Sequence, residues 1–156
     1  MEDFTQTDGV LKNMQEEEPS INFSLGDIQK EWHWIKPEIE QLLADNPQLT
    51  YKVEDVYAKC LYKDASLILV DKGFIVVIIT EDETQTKKSF FVWIAKTLNK
   101  PTGFIELKNI WKTLEILGKE SGCSTIETST PIKRVGRYLE KTGWTLKTLD
   151  YTKDLI

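Results

Sequence analysis

One histidine, two cysteines and scattered carboxylates are the groups through which this sequence could do catalysis. His33 lies between Trp32 and Trp34, in a stretch whose apolar residues recur at helical spacing. A lone imidazole is a natural proton carrier near neutral pH. With no second histidine, however, and with neither cysteine close by in sequence, it builds no Cys-His pair, no Ser-His-Asp triad and no metal-ligand set. Cys60 and Cys123 have no metal-site spacing and read as reduced thiols packed as small hydrophobes. Glu81, Asp82 and Glu83 cluster where a turn between two strands is expected, the usual setting of solvated acids. A metal centre is not expected.

The aromatic residues invite a ligand-stacking role, but the spacing favours structure. Trp93 and Trp144 fall on strand or strand-start positions, and Trp111 shares a helical stripe with Leu107, Leu114 and Leu117. Trp32 and Trp34, two residues apart on a helix, cannot face the same way. One of them is expected at the surface, which makes the pair a candidate partner-binding feature.

Charge is unevenly placed. Residues 1–20 carry Glu2, Asp3, Asp8, Glu16, Glu17 and Glu18 against Lys12 alone, which leaves nineteen acids and nineteen bases for the rest of the chain. A neutral body with an acidic arm lacks the cationic footprint that nucleic acid requires, so a nucleic-acid partner is not expected. The arm, residues 1–22, is too polar to offset its own ordering entropy. Phe4 and Leu11 are among its few apolar anchors, and Glu16, Glu17 and Glu18 are the run that would face a basic partner. Residues 23–156 are read as one domain, long enough to bury a core. No apolar run reaches the ~18 residues that span a bilayer. The first residues show no signal-peptide pattern, so a cytoplasmic chain is expected.

The elements that must position these groups follow from periodicity. Ser24 and Asp27 suit a helix start, and Ile28, Trp32, Ile35, Ile39, Leu42 and Leu43 mark one helical face. Pro37 divides that face, and the spacing favours a helix from Lys36 to Ala44 behind an irregular lead-in. Residues 53–62 form a second helix. Three strands follow: Ser66–Val70, Phe74–Thr80 across an Asp71-Lys72-Gly73 turn, and Lys87–Leu98. Their unbroken apolar runs call for cover on both faces. A helix over Leu107–Ser121, a strand over Ser124–Thr128, a helix over Pro131–Lys141 and a last strand over Thr145–Leu149 complete the chain. The result is an α/β domain of the α+β kind, a mixed and mainly antiparallel sheet with helices on both faces.

This order resembles the GNAT superfamily of acyl-CoA N-acyltransferases, over roughly residues 27–155. Arg137-Tyr138-Leu139-Glu140-Lys141-Thr142-Gly143-Trp144 is similar to the family's closing signature, an aromatic pair followed by Glu-Lys-x-Gly-aromatic. Trp34-Ile35-Lys36-Pro37-Glu38-Ile39-Glu40, Glu54-Asp55-Val56 and Ser121-Gly122-Cys123 are most similar to small GNAT-like proteins of tailed bacteriophages. That resemblance implies a phage protein of the host cytoplasm, incorporated in the virion or not, with phage structural or host proteins as partners and self-association left open.

The resemblance also assigns roles. Family members hold the acyl-CoA pyrophosphate on glycine amides in the loop before the central helix. Here that loop would use Asn99, Lys100, Thr102, Gly103 and Phe104, with Pro101 removing one amide and Glu106 adding negative charge. The family's proton donor on the last helix, a tyrosine, falls on Leu139. Tyr138 sits about a hundred degrees round the helix and is expected in the core. The leading expectation is therefore a catalytically degenerate GNAT-like protein that works through protein contacts and takes no cofactor. One alternative is an acetyl-CoA-dependent N-acetyltransferase with an atypical loop and Tyr138 as displaced acid. Another is a host-directed inhibitor that uses its acidic tail.

Overall fold

The structure, a computed structural model, describes residues 22–84, 86–98 and 104–156, without the side chains of residues 104–107. Five strands form one sheet in chain order: β1 (Phe23–Leu25), β2 (Ser66–Val70), β3 (Gly73–Glu81), β4 (Lys88–Thr97) and β5 (Thr125–Thr128). Neighbours run antiparallel except β4 and β5, which are parallel. Helices α1 (Ile28–Asp45) and α2 (Val53–Leu61) precede β2, α3 (Phe104–Glu120) joins β4 to β5, and α4 (Lys133–Lys141) follows β5.

The apolar runs in β2, β3 and β4 do feed two cores. On one face Leu67, Phe74, Val76 and Ile94 pack with Ile28, Ile35 and Ile39 of α1 and Val53 and Val56 of α2. On the other, Ile68, Ile75, Val77, Phe90 and Val92 pack with Leu114 of α3. Each fully buried Leu, Ile or Phe contributes about 1.5–3 kcal/mol of transfer free energy, which holds the helices against the sheet. At the turn between β2 and β3 the chain needs glycine. A Cβ on Gly73 would lie 2.1 Å from the Lys96 carbonyl oxygen and 2.9 Å from the Thr97 Cα, both backbone atoms of β4.

Three expectations are corrected. The first helix starts at Ile28 and runs unbroken through Pro37. Its N-cap is Asp27, whose Oδ1 accepts the Gln29 amide at 3.0 Å. The fully buried Ile35 and Ile39 straddle the proline, so their burial outweighs the one hydrogen bond it removes. Ahead of the helix, Phe23–Leu25 is a strand paired with Ile68–Val70 rather than part of a helix start. At the other end, Thr145–Leu149 forms no strand: residues 145–156 are exposed and have no regular structure.

Candidate functional site

The parallel pair β4 and β5 opens into a fork. Its register runs Ser89↔Thr125, Phe90↔Ile126, Phe91↔Glu127 and Val92↔Thr128, and there β5 ends. β4 continues for five residues, Trp93–Thr97, with no strand beside it on that side among the described residues. At the crotch the Thr128 hydroxyl donates to the Val92 carbonyl at 2.9 Å, closing the last rung with a side chain in place of an amide. An unpaired strand edge of this kind can take up an extended, amide-bearing ligand through its backbone.

The fork coincides with a bulge. Across the antiparallel pair, Val76 faces Ile94 and Val77 faces Val92, which leaves Trp93 without an opposite residue on β3. The extra residue turns both Trp93 and Ile94 toward the α1/α2 face, where Trp93 meets Tyr51 edge-on at 5.0 Å between ring centroids. Bulges re-aim side chains and interrupt the ladder, and they concentrate beside functional sites. No periodicity reveals this one, because Phe90 to Ile94 is continuously apolar.

α4 follows β5, and the signature at its end folds as its residue types require. Gly143 adopts φ 101°, the left-handed conformation that glycine tolerates. The Trp144 amide donates to the Leu139 carbonyl at 3.0 Å, and the Trp144 ring stacks edge-on against Trp111 of α3. Leu139 is buried, whereas Tyr138 is half-exposed. This reverses the expected roles: Leu139 and Val135 line the inward face of the helix, and Tyr138 sits at its border. Burial nevertheless pushes the Tyr138 phenol above its ordinary range.

The remaining candidates do not converge on the fork. His33 is exposed, with Nδ1 3.0 Å from the Lys30 carbonyl, one turn back on α1. Asp82 caps its own hairpin turn, accepting from the Thr84 hydroxyl at 2.9 Å and the Thr86 amide at 3.1 Å, and these bonds hold its carboxyl below the usual range. Cys60 and Cys123 are free, half-buried thiols; burial lifts Cys60 to about 11 and raises Cys123 as well. Among the described residues no group of His, Cys, Asp and Glu could hold a metal ion. Trp32 and Trp34 both pack against the core, Trp32 on Tyr57 at 5.0 Å and Trp34 on Phe74 at 5.7 Å. Trp34 Nε1 also donates to Glu31 at 2.7 Å. Both rings are half-buried, where the spacing suggested that one would be exposed, because Tyr57 and Phe74 each offer a ring to pack on.

The candidate cofactor residues Asn99, Lys100, Thr102 and Gly103 lie outside the described residues, as does the Phe104 side chain at the start of α3. The same holds for the arm residues Phe4, Leu11, Glu16, Glu17 and Glu18.

No family model matches this sequence, and no curated protein does. Solved structures do match in fold. A "probable acetyltransferase" superposes with a TM-score of 0.65 at 11% identity, covering 86% of this chain and 98% of that one. The ribosomal-protein-alanine N-acetyltransferase of Brucella melitensis gives 0.59 at 13%, covering 88% and 98%. An aminoglycoside acetyltransferase from an uncultured soil metagenomic sample, solved with sisomicin, gives 0.60 at 9%, covering 87% and 97%. At such identities what is shared is the fold, and it is the fold of GNAT acetyltransferases. No helix among the described residues is long and apolar enough to cross a membrane.

Proposed function

We propose that this chain is a bacteriophage protein that keeps the acetyltransferase frame without its chemistry and works by binding other proteins, in the host cytoplasm or as part of the virion. The observation that carries this reading is the segment after α4. Leu146, Leu149, Tyr151, Leu155 and Ile156 are all exposed, Tyr151 at 88% and Leu155 at 93%. The segment starts beside β5, where Lys147 Nζ meets Glu127 Oε2 at 3.0 Å. Among the described residues β5 pairs with β4 alone, which leaves its outer edge open there. Five large apolar side chains next to an unpaired strand edge are the makings of a contact surface, and burying them against a partner is favourable.

The chemical side of the fork supports the same reading. Leu139 takes the inward position on α4, Glu127, the one acid of β5, is engaged by Lys147 and Ser89, no histidine lies on β4, β5 or α4, and the loop sequence includes Pro101 and Glu106. The acetyltransferase alternative draws on one observation, the raised phenol of Tyr138, and would use Asn99–Phe104 for acetyl-CoA.

The test compares the full chain with a version ending at Trp144 as bait for the structural proteins of the encoding phage, with circular dichroism confirming the fold of both. Capture by the full chain, reduced at least tenfold in the shortened one, is expected. Equal capture by both removes the surface from the account.

A further inference from the structure

α4 carries Lys133, Arg134, Arg137 and Lys141, all exposed. At a hundred degrees per residue they fall within one face about 100° wide, opposite Val135 and Leu139. Lys133–Arg137 and Arg137–Lys141 are four apart and Arg134–Arg137 three apart, so each cation sits beside another and they repel. Among the described residues three lysines, Lys88, Lys96 and Lys147, meet a carboxylate, on Glu81, Glu38 and Glu127. The four cations of α4 make no such pair among the described residues, not even with Glu140 on the same helix. In a chain of net charge −5 this is a concentrated positive face without a counter-charge among the described residues.

The missing counter-charge is present in the same chain. Residues 2–18 hold six acids against Lys12. We infer that the basic face of α4 is the docking surface for the acidic segment 2–18 of the same molecule, so that the arm and the helix mask one another. The connection is long enough. The arm enters the fold at Phe23 on one edge of the sheet, and α4 follows β5 on the other edge, four strand spacings or roughly 19 Å away. Residues 9–22, when extended, reach about 45 Å, which brings Glu2, Asp3 and Asp8 onto α4 with slack. Tethering holds the arm at an effective concentration of order mM, far above that of any free competitor of equal charge. A contact made only of exposed charges is screened by salt, so it is reversible by design. A more strongly anionic partner would displace the arm and expose both surfaces together.

Lys12, the arm's one basic residue, supplies the readout on the full-length chain: the rate of tryptic cleavage after Lys12, followed by mass spectrometry. In 20 mM salt the wild type is expected to be cut at least fivefold more slowly than Arg134→Glu/Arg137→Glu, and in 500 mM salt the two rates converge. A second variant, with Glu2, Asp3 and Asp8 changed to Gln, Asn and Asn, is expected to lose the protection while leaving α4 intact, which covers the case in which charge reversal disturbs the helix. Amide NMR of that variant should show shifts confined to Lys133–Lys141. Equal cleavage of all three proteins at low salt overturns the assignment. Protection that grows with protein concentration overturns it too, in favour of an arm reaching a second copy. So does an arm insensitive to the α4 changes when those changes abolish heparin binding, since the face would then serve an external polyanion.

Discussion

Leu139 and Tyr138 show how one helical step decides between structure and chemistry. Leu139 is 6% exposed, so Leu139→Ala should leave a cavity and cost about 2–5 kcal/mol in urea unfolding. Tyr138→Phe keeps the ring and should cost about 1 kcal/mol or less. The opposite ranking would mean that the tyrosine, and not the leucine, anchors α4. The sequence order Tyr-Leu was legible, but which of the two turned inward was not, because that depends on the phase of α4 against the rest of the fold. Cys60 offers a pH test. Its thiol is raised in the folded state from an ordinary value near 9 to about 11, because burial disfavours the thiolate. The stability this provides is complete below pH 9 and is lost as pH rises toward 11. Cys60→Ala should therefore flatten the fall in stability between pH 9 and 11 relative to wild type, as followed by thermal melts. An unchanged slope would show that the thiol is not desolvated.

At the scale of elements, α2, β2, β3, β4 and β5 were legible within a residue or two, since periodicity and β-branched runs report them locally. What escaped were features set by neighbours. β1 is three residues long and exists because β2 offers an edge. The bulge at Trp93 is invisible inside an apolar run, and Thr145–Leu149 has strand-like composition but no hydrogen-bonded partner. The proline in α1 was misread because local propensity was weighed without the burial of Ile35 and Ile39 on either side. Pro37 is exposed and leaves the His33 carbonyl without its helical donor. Pro37→Ala should restore that bond and stabilise the protein by about 1–3 kcal/mol, seen as a higher midpoint in thermal unfolding. A lower midpoint would show that the proline ring contributes more to α1 than the missing hydrogen bond costs.

For the molecule as a whole, the frame and the function separate. The sheet order, the fork at Val92 and Thr128, the bulge beside it and the glycine-terminated α4 make the scaffold on which acetyltransferases are built. What distinguishes this chain lies at its surfaces: an acidic N-terminal sequence, a basic face on α4 that makes no ion pair among the described residues, and an exposed apolar segment beside β5. Of the candidate site, the glycine-terminated end of α4 was readable from residue types, the loop Asn99–Phe104 lies outside the described residues, and the exposed segment 145–156 was hidden because its residues look like an ordinary strand. The central claim, contact in place of catalysis, is tested most directly by calorimetric titration of acetyl-CoA into the full-length protein, with Gly103→Glu as the control. The account predicts no heat of binding up to millimolar cofactor in either protein. Micromolar binding by the wild type that disappears in Gly103→Glu would contradict it and establish an acyl-CoA site at the fork.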